Sequence, residues 1–238
     1  MITLTTDFGT GSPYVAAMKA ALLAGCPDAA LVDVSHGLTA FDMEAAGFVL
    51  WAGTRHFANG AVHLAVLDPG VGTARRPLAV QLGHACWVVP DNGLLSLLLR
   101  ESELTPTVVA LRRPEGASAT FEGRDVFAPA AAALAAGARL STLGEPVHDL
   151  VRLPPPAPRV LWVDAFGNLV TSLKPPVAAL KLGPVTIRRT ARTYGEVRPG
   201  EFFFYTGSMG FIEIAVRGGR ADRLLSAGPG TEVQAIPA

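Results

Sequence analysis

Charge imbalance is the first thing this sequence lacks. Its 238 residues carry 20 Lys and Arg against 20 Asp and Glu, and no basic run interrupts them. The electrostatic footprint of a nucleic-acid binder is missing, so no such partner is expected. Cysteine is scarce as well. Cys26 and Cys86 cannot build a disulfide framework, and no CxxC or HExxH spacing offers a metal site. The longest apolar stretch, Val126 to Ala138, is broken by Pro129 and Gly137. It falls short of the roughly 20 residues that a membrane span needs. The N-terminus runs directly into an apolar strand pattern without a charged start, so no signal peptide is expected. A soluble cytoplasmic protein is the default expectation, and half of its residues are hydrophobic, ample for a core.

The first part of the chain alternates short apolar runs with helical patterns, the signature of a layered α/β domain with a largely parallel sheet. Strands are expected at Ile2–Thr5, Leu31–Val34, Val62–Leu67, Leu78–Leu82, Ala85–Val89 and Val108–Leu111. Ser12-Pro13 is a strong helix start, and Gly25 ends that helix. Further helices are expected from Phe41 to about His56, entered through Thr39, then over Gly93–Arg100 and from Asp125 to Ala136. The run Pro154-Pro155-Pro156-Ala157-Pro158 is too stiff and extended for a helix or central strand. Residues 1–152 are therefore read as the α/β domain and 153–158 as a linker. Residues 159–238 read as a smaller antiparallel, barrel-like β domain, with strands at Val160–Asp164, Leu169–Ser172, Val185–Arg189, Glu201–Thr206, Phe211–Val216 and Glu232–Ile236.

Function is concentrated where strands end. Leu67-Asp68-Pro69-Gly70-Val71-Gly72 places a carboxylate at the end of one strand, and Arg75 follows a Gly-rich turn that lets a guanidinium fold back on it. Asp7, in Thr5-Thr6-Asp7-Phe8-Gly9, occupies the equivalent place after the first strand. In open α/β sheets ligands bind beyond the carboxyl ends of the strands. Asp-Pro-Gly is also an ordinary turn signal, so either acid alone is ambiguous. Two such acids in one sheet point to one site.

Other motifs fail on inspection. Gly9-Thr10-Gly11 and Gly70-Val71-Gly72 begin like a dinucleotide fingerprint, but Tyr14 and Arg75 stand where the third glycine belongs. Gly207-Ser208-Met209-Gly210 has Thr206 in place of the first Gly of a nucleophile elbow. Of the five histidines, only His36 lies near a strand end, where it suits hydrogen bonding better than metal ligation.

Several segments, taken in order, resemble one family. They are Thr5-Thr6-Asp7-Phe8-Gly9, Asp33-Val34-Ser35-His36, Asp68-Pro69-Gly70-Val71-Gly72 with Arg75-Arg76, and Pro90-Asp91-Asn92-Gly93. Beyond these come Gly123-Arg124-Asp125-Val126-Phe127, Asp164-Ala165-Phe166-Gly167-Asn168 and Ser208-Met209-Gly210-Phe211. Together they resemble the S-adenosyl-L-methionine hydroxide adenosyltransferases, related to the fluorinating and chlorinating S-adenosylmethionine enzymes. The resemblance implies hydrolysis of S-adenosylmethionine to adenosine and methionine, without a cofactor. It also implies a homotrimer whose sites lie between the α/β domain of one subunit and the β domain of the next.

A sulfonium is already an excellent leaving group, so the difficulty lies in holding a weak nucleophile in line with the C5′–S bond. By resemblance, Asp68 and Arg75 orient and polarise that water, and Arg75 favours the ionised form of Asp68. A carboxylate there also repels halide. Asp7 would accept hydrogen bonds from the ribose hydroxyls, and Asp164 and Ser208 would hold the methionine part. Phe166 and Asn168 would contact base or ribose, and Phe41 would wall the pocket. As alternatives, the Asp164–Asn168 segment could simply close a hairpin, and Phe41 could serve core packing.

The chain departs from the pattern at Glu122, where the family commonly has a third catalytic residue, His. Glu122 could pair with Arg75, accept a proton from water, or crowd Asp68 with like charge. Ser12 replaces a frequent Asp, which weakens the expected contact to the methionine amino group, and Arg217 replaces a frequent Asn. Two other readings therefore stay open: a non-catalytic protein that binds S-adenosylmethionine or adenosine, and halide-dependent adenosyl transfer.

Overall fold

The computed structural model describes residues 1–38 and 41–237. The chain divides into two compact units, Met1–Pro154 and Pro155–Ala238.

In the first unit the elements run β1 (Ile2–Thr6), α1 (Pro13–Gly25), β2 (Leu31–Ser35), α2 (Met43–Thr54), β3 (Val62–Val66), β4 (Pro77–Leu82) and β5 (Ala85–Pro90). They continue through α3 (Ser96–Glu101), β6 (Thr107–Leu111), α4 (Ala128–Ala135) and β7 (Gly144–Pro146). The sheet order is β2-β1-β3-β5-β4-β6-β7. The first four strands are mutually parallel, and β4 and β7 run against their neighbours. Every residue of β1 and β3 is buried, as both faces of central strands are, including Thr3, Thr5, Thr6 and His63 among their apolar residues. Met18 and Leu22 of α1 and the Ala-rich α4 cover Ile2, Leu4, Leu64 and Val66 in one core. A Cβ on Gly25 would stand 2.8 Å from the Cβ of Ala132, so glycine permits the close approach of these two helices.

Register brings the two acidic loops together. Thr6 of β1 is the direct partner of Val66 of β3. Asp7 and Asp68 therefore leave the sheet side by side at its carboxyl edge, where the sequence pattern places a site.

Three helix starts differ from expectation. Ser12 caps α1 by accepting from the Tyr14 N–H, as read from the sequence. The second helix begins at Met43, not Phe41, because Asp42 supplies the cap through a 3.1 Å bond from the Ala45 N–H. Thr39 lies outside the described residues. α3 begins at Ser96, since Gly93 takes a left-handed turn (φ +88°). Ahead of α4, Gly123–Phe127 forms one wide π-turn closed by the Ala128 N–H on the Gly123 carbonyl. Pro129 has no N–H to offer Asp125, so an ordinary α-turn cannot close there.

In the second unit the strands are β8 (Val160–Val163), β9 (Leu169–Thr171), β10 (Ala179–Leu182), β11 (Val185–Ile187), β12 (Phe202–Thr206), β13 (Ile212–Val216) and β14 (Gln234–Ile236), with a single-turn α5 (Ala221–Leu224) after β13. They form two antiparallel sheets, β12-β13-β9-β8 and β11-β10-β14. Single bridges link Arg159 to Glu232 and Thr190 to Phe204. One core, including Val160, Leu180, Phe204 and Ile214, serves both sheets.

Candidate active site

The Asp68 turn is held from both ends. Asn92 donates a 2.8 Å hydrogen bond from Nδ2 to the Leu67 carbonyl. Thr73 Oγ1 donates to the Gly70 carbonyl at 2.6 Å and accepts from the Arg75 N–H at 3.3 Å. Next to it, Arg76 is tied to Asp91 (2.5 Å) and Asp149 (2.6 Å). Gly72 is required: its φ is +77°, and a Cβ there would lie 2.8 Å from the Ala119 carbonyl oxygen.

This scaffold folds Arg75 back over Asp68. Arg75 Nε donates to Asp68 Oδ1 at 2.8 Å, and Nη2 donates to Asp68 Oδ2. The same Nη2 also donates to Glu122 Oε2. All three side chains are buried. Glu122 therefore takes the first of its open readings and pairs with Arg75. The Arg75 guanidinium lies 5.1 Å from the ring of Phe127. Burial works against its charge, but the hydrogen bonds and charge of Asp68, together with Glu122, hold its pKa above the ordinary value. Its Nη1 is buried with no protein partner among the described residues.

A cleft of about 250 Å³ opens on this pair, lined by Asp7, Phe8, Tyr14, Asp68, Phe121 and Glu122 among others. Phe8, Tyr14 and Phe121 meet edge to face, with centroids 5.1–6.2 Å apart, and give the cleft an aromatic wall. Glu122 is placed by the turn before α4, where Asp125 accepts from the Ser118 N–H at 2.9 Å. Burial raises the pKa of Asp7 and the nearby charge of Asp68 adds to the rise, against a lowering hydrogen bond from its own backbone. His36 supports this loop: its Nδ1 lies 2.9 Å from Thr6 Oγ1, its Nε2 3.1 Å from Asp33, and its carbonyl accepts from the Gly9 N–H at 2.7 Å.

Four of the residues singled out in the sequence thus meet in one cleft: Asp7, Asp68, Glu122 and, through its bonds to both acids, Arg75. Phe41 does not line it. It sits at φ +70°, 78% exposed, ahead of α2. Arg113, Tyr14 and Phe121 were not legible as site residues, although Phe121 precedes Glu122 directly.

Asp164, Phe166, Asn168 and Ser208 belong to the second unit. Asp164 Oδ1 accepts from the N–H groups of Phe166 (2.9 Å) and Asn168 (2.8 Å), and Oδ2 accepts from Asn168 Nδ2 (2.7 Å). These two side chains lock the turn, as the hairpin reading anticipates. Phe166 projects from it 77% exposed, and Ser208 is exposed in the turn between β12 and β13. Behind that turn, Glu213 accepts from Tyr205 at 2.6 Å, and burial, with the charge of Asp164, raises its pKa. A larger hollow of about 510 Å³ in this unit, lined by Thr190, Arg192, Phe204 and Thr206 among others, gathers none of the site residues read from the sequence. Among the described residues no group of three His, Cys, Asp or Glu is placed to share a metal ion. No helix among them is long and apolar enough to cross a membrane.

Comparison with known proteins gives this geometry a context. Residues 2–144 match the SAM hydroxide adenosyltransferase N-terminal domain, and residues 158–234 match the C-terminal domain of the same family. The (R)-S-adenosyl-L-methionine hydrolase of Thermus thermophilus is 41% identical over 252 residues, covering 97% of each chain. The protein of that name from Salinispora arenicola is 40% identical over 98% of this chain and 96% of its own. The crystal structure of an uncharacterized conserved protein from Thermotoga maritima superposes with a TM-score of 0.91 at 30% identity, over 99% of this chain and all of its own.

Proposed function

The chain belongs to the SAM hydroxide adenosyltransferase family, and from that premise we propose that it hydrolyses S-adenosyl-L-methionine to adenosine and L-methionine. The observation that carries the proposal is the Asp68–Arg75 pair, bonded at both carboxylate oxygens and opening on a cleft that also holds Asp7.

In the reaction, the oxygen of one water attacks C5′ of the adenosyl group. The C5′–S bond breaks on the opposite side, and its electron pair stays on sulfur as the methionine thioether. The water proton leaves to Asp68 or to solvent, so one water is consumed and one proton released. The sulfonium loses its charge as it departs and needs neither acid nor metal at the sulfur. Asp68, with both oxygens oriented by Arg75, keeps lone pairs that accept from the water, and its charge disfavours a halide in the same place. Asp7 accepts from the ribose hydroxyls, and the aromatic wall of Phe8, Tyr14 and Phe121 adjoins it.

Within the same proposal, Asp164 and Ser208 contact the methionine part and Phe166 and Asn168 the base or ribose, while Phe41, outside the cleft of the single chain, walls the pocket only where subunits meet. They do so across subunits of a homotrimer working in the cytoplasm without a cofactor. The exposure of Phe166 and Ser208 supports this reading.

Incubation of the purified chain with S-adenosylmethionine, with and without chloride, tests the function through chromatography of the nucleosides. Adenosine in both cases is expected. Intact S-adenosylmethionine despite tight binding would leave a binding protein, and a chlorinated nucleoside would replace water with halide.

A further inference from the structure

Glu122 is bonded on both sides, and only one partner belongs to the mechanism above. Arg113, two residues beyond β6 and just before Pro114, donates from Nε to Glu122 Oε1 at 2.5 Å. Its Nη2 donates to the main-chain carbonyl of Arg75 at 2.7 Å. One guanidinium therefore ties the side chain of Glu122 to the backbone of the residue that grips Asp68. From the geometry we infer that Arg113 is a positioning residue for the reaction: it keeps Arg75 in register on Asp68 by fixing both Glu122 and the chain at Arg75. This rests on the hydrolytic reading of the Asp68 site.

Electrostatics requires a fourth charge. Asp68 and Glu122 are two buried carboxylates that share one cation, Arg75, through the same Nη2. Two buried anions on one cation leave a net negative charge where hydration is poor, a costly arrangement. Arg113 completes an alternating ladder, Asp68–Arg75–Glu122–Arg113, whose formal charges cancel. With Arg113 removed, Glu122 competes with Asp68 for Arg75, and the two-point grip on Asp68 loosens. Arg113 also occupies the back of the site. Together with Gly72, Thr73 and Glu122 it lines a separate hollow of about 390 Å³, whereas Glu122 alone of these four also lines the cleft.

The competing view is an ordinary half-exposed ion pair, which contributes little. The neighbouring residue provides an internal control. Arg112 pairs with Glu145 at 3.2 Å, both side chains being more than 70% exposed, and among the described residues its side chain bonds none of those in the site.

The test uses the full chain as Arg113→Gln, Arg113→Lys, Arg112→Gln and Glu122→Gln, with Arg113→Gln also placed in the Glu122→Gln background. A misplacement of about 1 Å can cost about 10²-fold in turnover, so a smaller shift is expected to cost about tenfold. Arg113→Gln is expected to lower kcat by about that factor while KM stays within about twofold. Lys, which keeps the charge, is expected to restore part of the loss, and Arg112→Gln to match wild type. In the Glu122→Gln background the second substitution is expected to cost clearly less than in wild type, because the charge it served is gone and only its bond to the Arg75 carbonyl remains. Wild-type kcat in Arg113→Gln, or an undiminished loss in the Glu122→Gln background, overturns the inference.

A second readout does not need turnover. The Arg75 Nε–H, bonded to Asp68 at 2.8 Å, is followed by nitrogen-15 NMR, where slow exchange is expected in wild type and Arg113→Lys and fast exchange in Arg113→Gln. Unchanged exchange in Arg113→Gln also overturns the inference. If the wild-type protein forms no adenosine, the hydrolytic reading fails while this measurement still decides whether Arg113 positions Arg75.

Discussion

Asp7 and Asp68 stand next to each other at the carboxyl edge of the sheet, because Thr6 and Val66 are register partners on neighbouring parallel strands. Burial raises the pKa of Asp7 and the charge of Asp68 raises it further. Within the folded chain Asp7 therefore keeps its proton to higher pH than an ordinary carboxyl. Its contribution to stability falls as pH rises from the ordinary value through the raised one, because the unfolded chain releases that proton first. Asp68→Asn removes one of the two causes. The Asp7 titration, followed by carbon-13 NMR of its carboxyl group, is expected to move down in that variant. The KM for S-adenosylmethionine is expected to rise on the acid side of the Asp7 titration in wild type and to lose that dependence in Asp7→Asn. An Asp7 titration unmoved in Asp68→Asn would show that the two acids do not share a field.

The same substitution tests the nucleophile's holder. Asn at position 68 keeps the size but loses the charge and one acceptor. Removing a preorganised electrostatic contact typically costs about 10²–10³-fold in kcat, and that loss is expected here with KM changed little. Arg75→Lys is expected to fall in the same direction, since an ammonium cannot give two parallel N–H bonds to Asp68 and still reach Glu122. Steady-state kinetics with circular dichroism as a check on folding measures both.

Gly72 carries two separable constraints, a left-handed φ of +77° and a Cβ position 2.8 Å from the Ala119 carbonyl oxygen. Gly60 has a similar φ of +86° but open space around it. Gly60→Ala thus reports backbone strain alone, about 1–3 kcal/mol. Gly72→Ala is expected to destabilise more and to reduce kcat, because the turn carrying Asp68 must shift away from the segment ahead of Glu122. Denaturant unfolding of both variants, with activity, makes the comparison.

His63 lies inside β3, bonded to Thr3 Oγ1 at 2.9 Å, and burial lowers its pKa from 6.5 to about 4. Between these values the unfolded chain binds a proton that the folded one refuses. Stability is therefore complete above about 6.5 and falls as pH drops toward 4, by up to about 1.4 kcal/mol per pH unit from this group alone. His63→Gln, which can keep a bond to Thr3, is expected to flatten the acid limb of the melting-temperature curve. An unchanged slope would move the cause to other residues.

Much of this site could be read along the chain because strand ends and Gly-rich turns leave local marks. Asp7 and Asp68 follow their strands by one and two residues, a parallel sheet aligns such ends automatically, and the Gly-rich turn brings Arg75 back onto Asp68. Glu122 was identified through resemblance, with Arg75 as one possible partner, but its second partner, Arg113, was not. Arg113 sits in Arg112-Arg113-Pro114, where the two arginines look equivalent, and only the fold turns one toward Glu122 and the other toward Glu145. The missed strands have similar causes. β7 is Gly144-Glu145-Pro146, residues that signal a turn, and β10, Ala179–Leu182, has little β-branched content and follows Pro175-Pro176. Both strands are set by their neighbours rather than by their own propensity.

Phe166 poses the sharpest question about the second unit. Asp164 and Asn168 spend their side chains on closing the turn, so a defined backbone holds a large aromatic ring 77% exposed. Exposed rings cost little stability to remove, within about 0.5 kcal/mol, so Phe166→Ala is expected to melt as wild type does. A ring that packs on substrate or on a neighbouring subunit behaves otherwise in binding, where truncating a buried anchor costs about 2 kcal/mol or more. A rise in KM of about thirtyfold or more is therefore expected, that energy expressed as an affinity. Light scattering then separates the two contacts: the wild-type mass kept in Phe166→Ala assigns the ring to substrate, and a mass below that of wild type assigns it to a junction between copies of the chain. Wild-type KM with an unchanged mass would leave Phe166 outside the site altogether, and the locked turn would then be only the close of a hairpin.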